Sequence, residues 1–550
     1  MKLSDTRLLG SILFLLALLF YGCNADPLGD TASVVDPPDN GTVEYSSGSA
    51  DLSKYVAIGN SLTAGYADGA LYNSAQQRSF PALLAQQFVQ AGGEQQFNQP
   101  DINSVNGCNT SVSVCDGSVS NPLGRFKLDI HLPGPSPTIN GDPITPFAGD
   151  VSALNNFGVP GIQVGQLLTP GTGTPGDPAF NRFYARFASN PGSSTILGDV
   201  IAAQPTFLSL WIGSNDVLGY ALSGATNNNI FTSEADFEAR YGAVVSQLMD
   251  NTDADGIVLD IPQLLYAPYF RLVPYNPIVF DENDPVDVAT VDQLNAAFSG
   301  FNDFLDIMVE NGLWNAADAE RRKVYYSLGA NPILVRDPNL NSFAGVLSIL
   351  ESQGLITSEE REALSPFVRA RQLVEGELVL LNAVQVLGTL ANPDDPTSVI
   401  GVAVPLAPNF FLASEDMDRI EDRRLAFNSI ISNTVNALGG NRLALYKADA
   451  PGSIFSQLFG LDGSGPGVPV GGETLTPDFT PFGAFSTDGI HPAVRGNALI
   501  ANEIMAVMEA EFDATLPRLN VLSLPTISTC SAGDCVSNQK SVVKLAFNFN

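Results

Sequence analysis

At 550 residues, with 45% hydrophobic and 15% charged residues, the chain is too apolar for wholesale disorder and too long for one simple core. Its length corresponds to roughly three or four domain equivalents, or to one fold enlarged by insertions. The 26 basic and 58 acidic residues leave a formal charge of −32, which argues against nucleic acid or an anionic surface as a partner, because phosphates would be repelled.

The chain opens on a targeting pattern. Lys2 and Arg7 precede the largely apolar run Leu8–Phe20, which is too short to span a bilayer comfortably. The stretch Leu19-Phe-Tyr-Gly-Cys23 resembles a bacterial lipoprotein processing site, departing from it at Phe20, where leucine is common. The resemblance implies a signal peptide over 1–22, acylation of Cys23, and a lipid anchor in the bacterial cell envelope, in the outer membrane facing the periplasm or the surface. A plain secretory signal cut nearby, or an uncleaved anchor, is the alternative. Residues 23–51, rich in Asp, Pro, Gly and Ser, are expected to form a flexible tether.

The run Tyr55-Val-Ala-Ile-Gly-Asn-Ser61 predicts a buried strand whose tight turn delivers Ser61 at the strand's carboxyl end, where open α/β sheets hold ligands. Taken alone, it favours an ordinary junction in which the serine is a cap. A helix follows from about Ser79, with Pro81 in its first turn. Residues 92–150, dense in Gly, Pro, Ser and Asn, predict long irregular excursions, and His131 within them reads as a half-exposed strand residue. In Asn155-Asn-Phe-Gly158-Val-Pro-Gly161-Ile, a bare backbone N–H is expected to point outward at the first turn of a helix.

Gln204–Gly213 predicts a second buried strand, ending in Gly213-Ser-Asn215-Asp216. A helix over 234–249 and a third strand over 256–262 follow. Asn251–Gly256 mimics the start of a calcium loop, but position twelve is Pro262 rather than glutamate, so it reads as a turn. Between Pro262 and Arg419, helices are expected around 291–310, 342–355 and 359–384, with Phe298, Phe301, Phe304 and Leu305 as core. A long helix over 415–438 and a fourth strand over 442–447 come next. The glycines of 463–467 lack a following Gly-Lys-Ser/Thr and read as a flexible loop. Finally, Ser486-Thr-Asp488-Gly-Ile-His491-Pro is a polar loop entering an amphipathic helix. Its spacing lets one turn present Asp488 and His491 on the same side, the carboxylate fixing the imidazole tautomer.

Cys108, Cys115, Cys530 and Cys535 lie in polar loops. Four cysteines allow three connectivities, and the two local pairs are preferred because short loops close at low entropic cost. Neither pair has a histidine nearby, and the spacings exceed CxxC, so no metal site is expected.

Taken together, Gly59-Asn-Ser61-Leu, Gly161, Gly213-Ser-Asn215-Asp and Asp488-Gly-Ile-His491-Pro resemble the four ordered blocks of the GDSL/SGNH hydrolase family. The resemblance implies an α/β fold, a three-layer α/β/α sandwich around a central parallel sheet, interrupted here by a large, mainly helical insertion. The core would comprise residues 52–262 and 419–512, the insertion or cap 263–418, and a tail 513–550. It also implies a serine esterase without cofactor or metal. Ser61 would be the nucleophile, His491 the general base and Asp488 its orienting partner, with an oxyanion hole made by the Ser61 and Gly161 N–H groups and the Asn215 amide. Gly158 is the alternative to Gly161. At Asn60 the family name has aspartate, which predicts altered loop hydrogen bonding and retained activity. The expected substrates are carboxylic esters or thioesters, of an acyl lipid, an acylated glycan or a small molecule, with the choice made in the segments the resemblance does not read. A catalytically silent lipoprotein that binds glycan or a partner protein is the competing expectation.

Overall fold

Five parallel strands form the centre of the protein: β1 (Tyr55–Gly59), β2 (Asn156–Gly158), β3 (Phe207–Trp211), β4 (Asp255–Leu259) and β5 (Leu443–Tyr446). They lie in the order β5-β4-β3-β1-β2. The structure, a computed structural model, describes residues 43–129, 134–531 and 533–536. Cys23, the signal-like segment 1–22 and His131 lie outside the described residues.

β1 and β3 are buried along their whole length, as uncharged strands covered on both faces should be. Side chains alternate between those faces. Phe207 and Trp211 of β3 meet Phe88 and Phe80 of α1 (Phe80–Phe88), and Phe207 also meets Phe512 of α6 (Val494–Phe512). The opposite face is covered by α3 (Glu234–Asn251) and α5 (Ser414–Thr434), whose Phe237 and Phe427 stack at 3.8 Å. Helices therefore flank the sheet on both sides, in the three-layer α/β/α order expected. α2 (Asn215–Leu222) follows β3, and α4 (Pro285–Glu310) follows β4.

Residues from Leu272 to Ala413 build a second hydrophobic cluster apart from the one around the sheet. Its helices are α4, Ala316–Glu320, Ala344–Ser352 and Ser358–Leu364, alongside three short antiparallel strand pairs. The helix expected over 359–384 stops at Leu364. Pro366 follows in a 3-10 turn, and the chain then pairs as strand at Ala370–Gln372 and Leu378–Val379. Arg371 is buried there between Asp337 (2.7 Å) and Glu377 (2.6 Å), which compensates a charge that could not otherwise leave water.

Other expectations shift at their edges. β2, only three residues long, carried no period in the sequence. The helix expected after Gly161 is a 3-10 turn over Val164–Leu168. The tether expected to reach residue 51 is ordered before that. Ser46 bridges Thr515, and the Ser49 N–H donates to the Phe512 carbonyl at the end of α6. The two local cysteine pairs, Cys108–Cys115 and Cys530–Cys535, are at bonding distance. The second sits against the hairpin Phe126–Asp129/Gly134–Pro137, through bridges Leu128–Thr529 and Thr138–Cys535.

The sheet edge positions the serine. Gly59 and Gly158 are register partners, and neither has room for a side chain. A Cβ on Gly158 would lie 2.3 Å from the Ala64 nitrogen, and one on Gly59 would lie 2.4 Å from the Trp211 carbonyl oxygen. The short helix Ser61–Ala64 thus rests directly on β2. Gly158→Ala is expected to force these backbones apart and to lower stability by about 1–3 kcal/mol, read as a lower urea midpoint with unchanged slope.

Candidate active site

Ser61 begins the one-turn helix that closes β1, and the turn is held by the residue before it. The Asn60 side-chain oxygen accepts the Leu62 N–H (3.0 Å), and the Asn60 carbonyl accepts the Ala64 N–H (3.0 Å). This is a side-chain cap of the kind either Asn or Asp supplies through its oxygen. Asn60 therefore caps the turn without placing a negative charge beside Ser61. As the first residue of a helix, Ser61 has no intrahelical partner for its own N–H.

His491 arrives from the other end of the chain. Its Nε2 lies 2.8 Å from Ser61 Oγ, and its Nδ1 lies 2.9 Å from Asp488 Oδ2. Asp488 also accepts the Ile490 and His491 N–H groups on Oδ1 and the Gly69 N–H on Oδ2, each at 2.9 Å. Burial pushes its carboxyl pKa up, but the His491 charge and these hydrogen bonds outweigh burial and hold it at about 2. An ionised carboxylate only accepts, so Nδ1 is the ring nitrogen that donates to Asp488, and Nε2 is the one that faces the serine hydroxyl. Tyr66 packs on the imidazole with ring centroids 4.9 Å apart.

The turn that carries Asp488 is tied to the turn after Ser61. Asp68 Oδ1 accepts from the N–H and the hydroxyl of Thr487 (2.8 and 2.6 Å), and the Asp68 N–H donates to Ser486 Oγ (3.0 Å). Tyr72 donates to Asp68 Oδ2 at 2.6 Å, with Arg125 3.6 Å from the same oxygen. Tyr269, packed against both hydrophobic clusters, donates its N–H to the Gly489 carbonyl at 2.9 Å. Gly489 has φ +74°, and a Cβ there would meet the Tyr269 nitrogen at 2.8 Å, so this turn has no place for a side chain.

The expected oxyanion groups stand on neighbouring loops. Asn215, the first residue of α2, donates its amide to the Ile162 carbonyl at 2.9 Å, which fixes it to the Gly161 turn. Gly161 takes φ +80°, as a left-handed turn requires. Gly158, the alternative, is enclosed in β2 against Thr63 and Ala64, and Asn156 Oδ1 accepts its N–H at 2.8 Å. Asp216, fully buried beside Asn215, clamps the two loops. It accepts the Val164 N–H (2.9 Å) and the Thr232 hydroxyl (2.8 Å). Burial raises its carboxyl pKa to about 6 despite those bonds.

Ser61, Asn215 and His491 line one cleft, whose space together with the open solvent at its mouth is about 780 Å3. Its walls come from the end of β3, the helix Ile454–Leu458, the loop around Phe485 and α6. Of the expected insertion 263–418, only Gln263, Leu264 and Ala267 reach it. Among the described residues, the one group with metal-ligand reach is Cys530, Asp534 and Cys535, whose sulfurs are paired with each other. No family model, curated protein or solved structure matches the chain.

Gly69, Asp68 and Asp216 carry no readable signal of their roles in one dimension. Asp68-Gly69 has only the character of a turn, and Asp216 stands out only as the neighbour of Asn215. Nothing local announces partners more than 400 positions away, as those of Gly69 and Asp68 are. The raised pKa of Asp216 means that the folded protein holds this proton more tightly than the unfolded chain, so its contribution to stability falls as pH rises from about 4 to about 6. Asp216→Asn removes that titration. The wild-type minus variant difference in unfolding free energy, measured by urea titration across pH, is expected to fall through this window and to be flat above it.

Proposed function

We propose that the protein is a serine hydrolase of carboxylic esters or thioesters, of the GDSL/SGNH type, acting through an acyl-enzyme intermediate. The observation that carries this reading is the unbroken hydrogen-bonded chain Ser61–His491–Asp488 on the lining of an apolar cleft. A serine hydroxyl is a weak nucleophile near neutral pH and needs a base within hydrogen-bond reach.

The chemistry follows from the donors and acceptors present. Ser61 Oγ attacks the ester carbonyl carbon while its proton passes to His491 Nε2. The imidazolium is stabilised by Asp488, which stays ionised. The carbonyl oxygen becomes an oxyanion, and the Ser61 N–H, the Gly161 N–H and the Asn215 amide are its donors. Collapse breaks the bond to the alcohol oxygen, or to sulfur in a thioester, and the leaving group takes the proton from Nε2. Water then gives a proton to Nε2 and attacks the acyl-serine. Its collapse returns the proton to Ser61 Oγ and releases the acid.

In this reading the segment 263–418 is an addition to the hydrolase core, and acylated Cys23 holds the enzyme in the cell envelope. The same order of blocks supports both the family and the residue roles: serine after β1, glycine after β2, asparagine after β3 and histidine before α6.

A fluorophosphonate probe is expected to label folded wild-type protein at Ser61 and to leave Ser61→Ala unlabelled; absence of the Ser61 adduct would overturn the assignment in favour of a binding protein. With para-nitrophenyl esters, Ser61→Ala and His491→Ala should each lose about 10⁴-fold or more in kcat. Asn215→Ala should lose about 10²–10³-fold, because one oxyanion donor is removed.

A further inference from the structure

The cleft beside Ser61 has a composition unlike the rest of the molecule. In a chain of net charge −32, none of the described residues lining it is Asp, Glu, Lys or Arg. Beyond Ser61, Asn215 and His491, its polar side chains are Asn60, Ser214 and Gln263, and the Asn60 oxygen already accepts the Leu62 N–H. The remainder is hydrocarbon, chiefly Trp211, Ile454, Phe455, Leu458, Leu499 and Ile500.

These residues sit on regular elements and are themselves buried: Trp211 at 1% exposure, Ile500 at 5% and Phe455 at 8%. Trp211 closes β3, Phe455 packs on it at 6.1 Å between ring centroids, and Leu499 and Ile500 lie on α6. The cleft thus enters the layer between sheet and helix, with this part of its wall built from the core and the loop around Phe485 completing the lining. A sugar ring placed there would find, among the described lining residues, two buried unpartnered atoms, Ser214 Oγ and Gln263 Oε1, too few for its several hydroxyl groups, and a charged headgroup would leave water with no counter-charge to meet it. A hydrocarbon chain loses nothing in that exchange and gains with every methylene.

Resting on the hydrolase reading, we propose that this cleft holds the acyl part of the substrate, that the acyl part is an uncharged hydrocarbon chain of several carbons, and that Phe455, Leu499 and Ile500 set its usable length. The acyl part remains bonded to Ser61 until water arrives, so the wall next to Ser61 is where it must sit, while the alcohol leaves through the mouth. The segment 263–418 then has little part in choosing the chain, since it contributes only Gln263, Leu264 and Ala267 to the wall.

The test uses the full-length protein and para-nitrophenyl acetate, butyrate and octanoate. If the acyl chain is buried, kcat/KM rises by about fourfold per methylene until the cleft is filled, and octanoate exceeds acetate by at least about 100-fold. Leu499→Trp and Ile500→Trp should each lower the octanoate-to-acetate ratio by about tenfold or more. Phe455→Ala should move the preferred length upward. Fluorophosphonate labelling of Ser61 is run on every variant, so that a change in ratio is read only where the nucleophile is intact. A flat or falling length profile in protein that labels at Ser61 overturns the acyl-chain inference and leaves the hydrolase reading standing. Length ratios that all three wall variants leave unchanged overturn it equally. Failure of wild-type labelling removes the hydrolase reading itself.

Discussion

Four hydrogen bonds converge on the Asp488 carboxylate, and the geometry of the site depends on them. Two come from the backbone of its own turn, one from the His491 ring and one from the Gly69 N–H, which belongs to the loop after Ser61. The last of these joins segments 419 positions apart. A buried carboxylate with all its strong acceptor positions occupied stays ionised and does not rotate, which is why His491 has one orientation and one tautomer. Asp68 repeats the device nearby by binding Thr487 and Ser486, so the serine loop and the histidine turn are laced together rather than merely adjacent.

Behind that junction stands a close-packed sheet edge. The glycine pair Gly59/Gly158 permits the serine helix to sit on β2, and Asp216 clamps the Gly161 loop to α2 through Val164. Each polar group beside Ser61 and His491 is therefore positioned by backbone that is itself fixed by burial. The second core, built from residues 272–413, is joined to this arrangement by Tyr269, which packs against both cores and donates to the Gly489 carbonyl. It buttresses the histidine turn from outside while leaving the apolar wall of the cleft to the sandwich.

Much of the fold was legible because its signals are local. β1, β3 and β5 are short uncharged runs between polar turns, β4 is charged only at its first residue, Asp255, and α1, α3 and α5 show helical spacing, α3 opening on the Ser233 side-chain cap. β2 was not legible, since three residues cannot display a period and its pairing with β1 is decided by the neighbour. The helix expected over 359–384 failed for a related reason. Its apolar residues do recur at helical spacing, but Pro366 interrupts the ladder, and Arg371 is needed as a strand residue between Asp337 and Glu377. The stretch 46–51 looked like linker by composition, yet its backbone finds partners at the end of α6.

By itself, the sequence determined which residues have the right chemistry: a serine after a strand, a histidine three positions after an acid, and an asparagine at the mouth of another helix. Those patterns survive in one dimension because turns and caps are made by residues close in the chain. Only the tertiary structure decided that Ser61 and His491, 430 positions apart, stand 2.8 Å from each other, and that a wall without charge lines the space beside them. The physical reason is that distance across a parallel sheet is set by strand order and by burial on both faces, and neither leaves a mark on neighbouring residues.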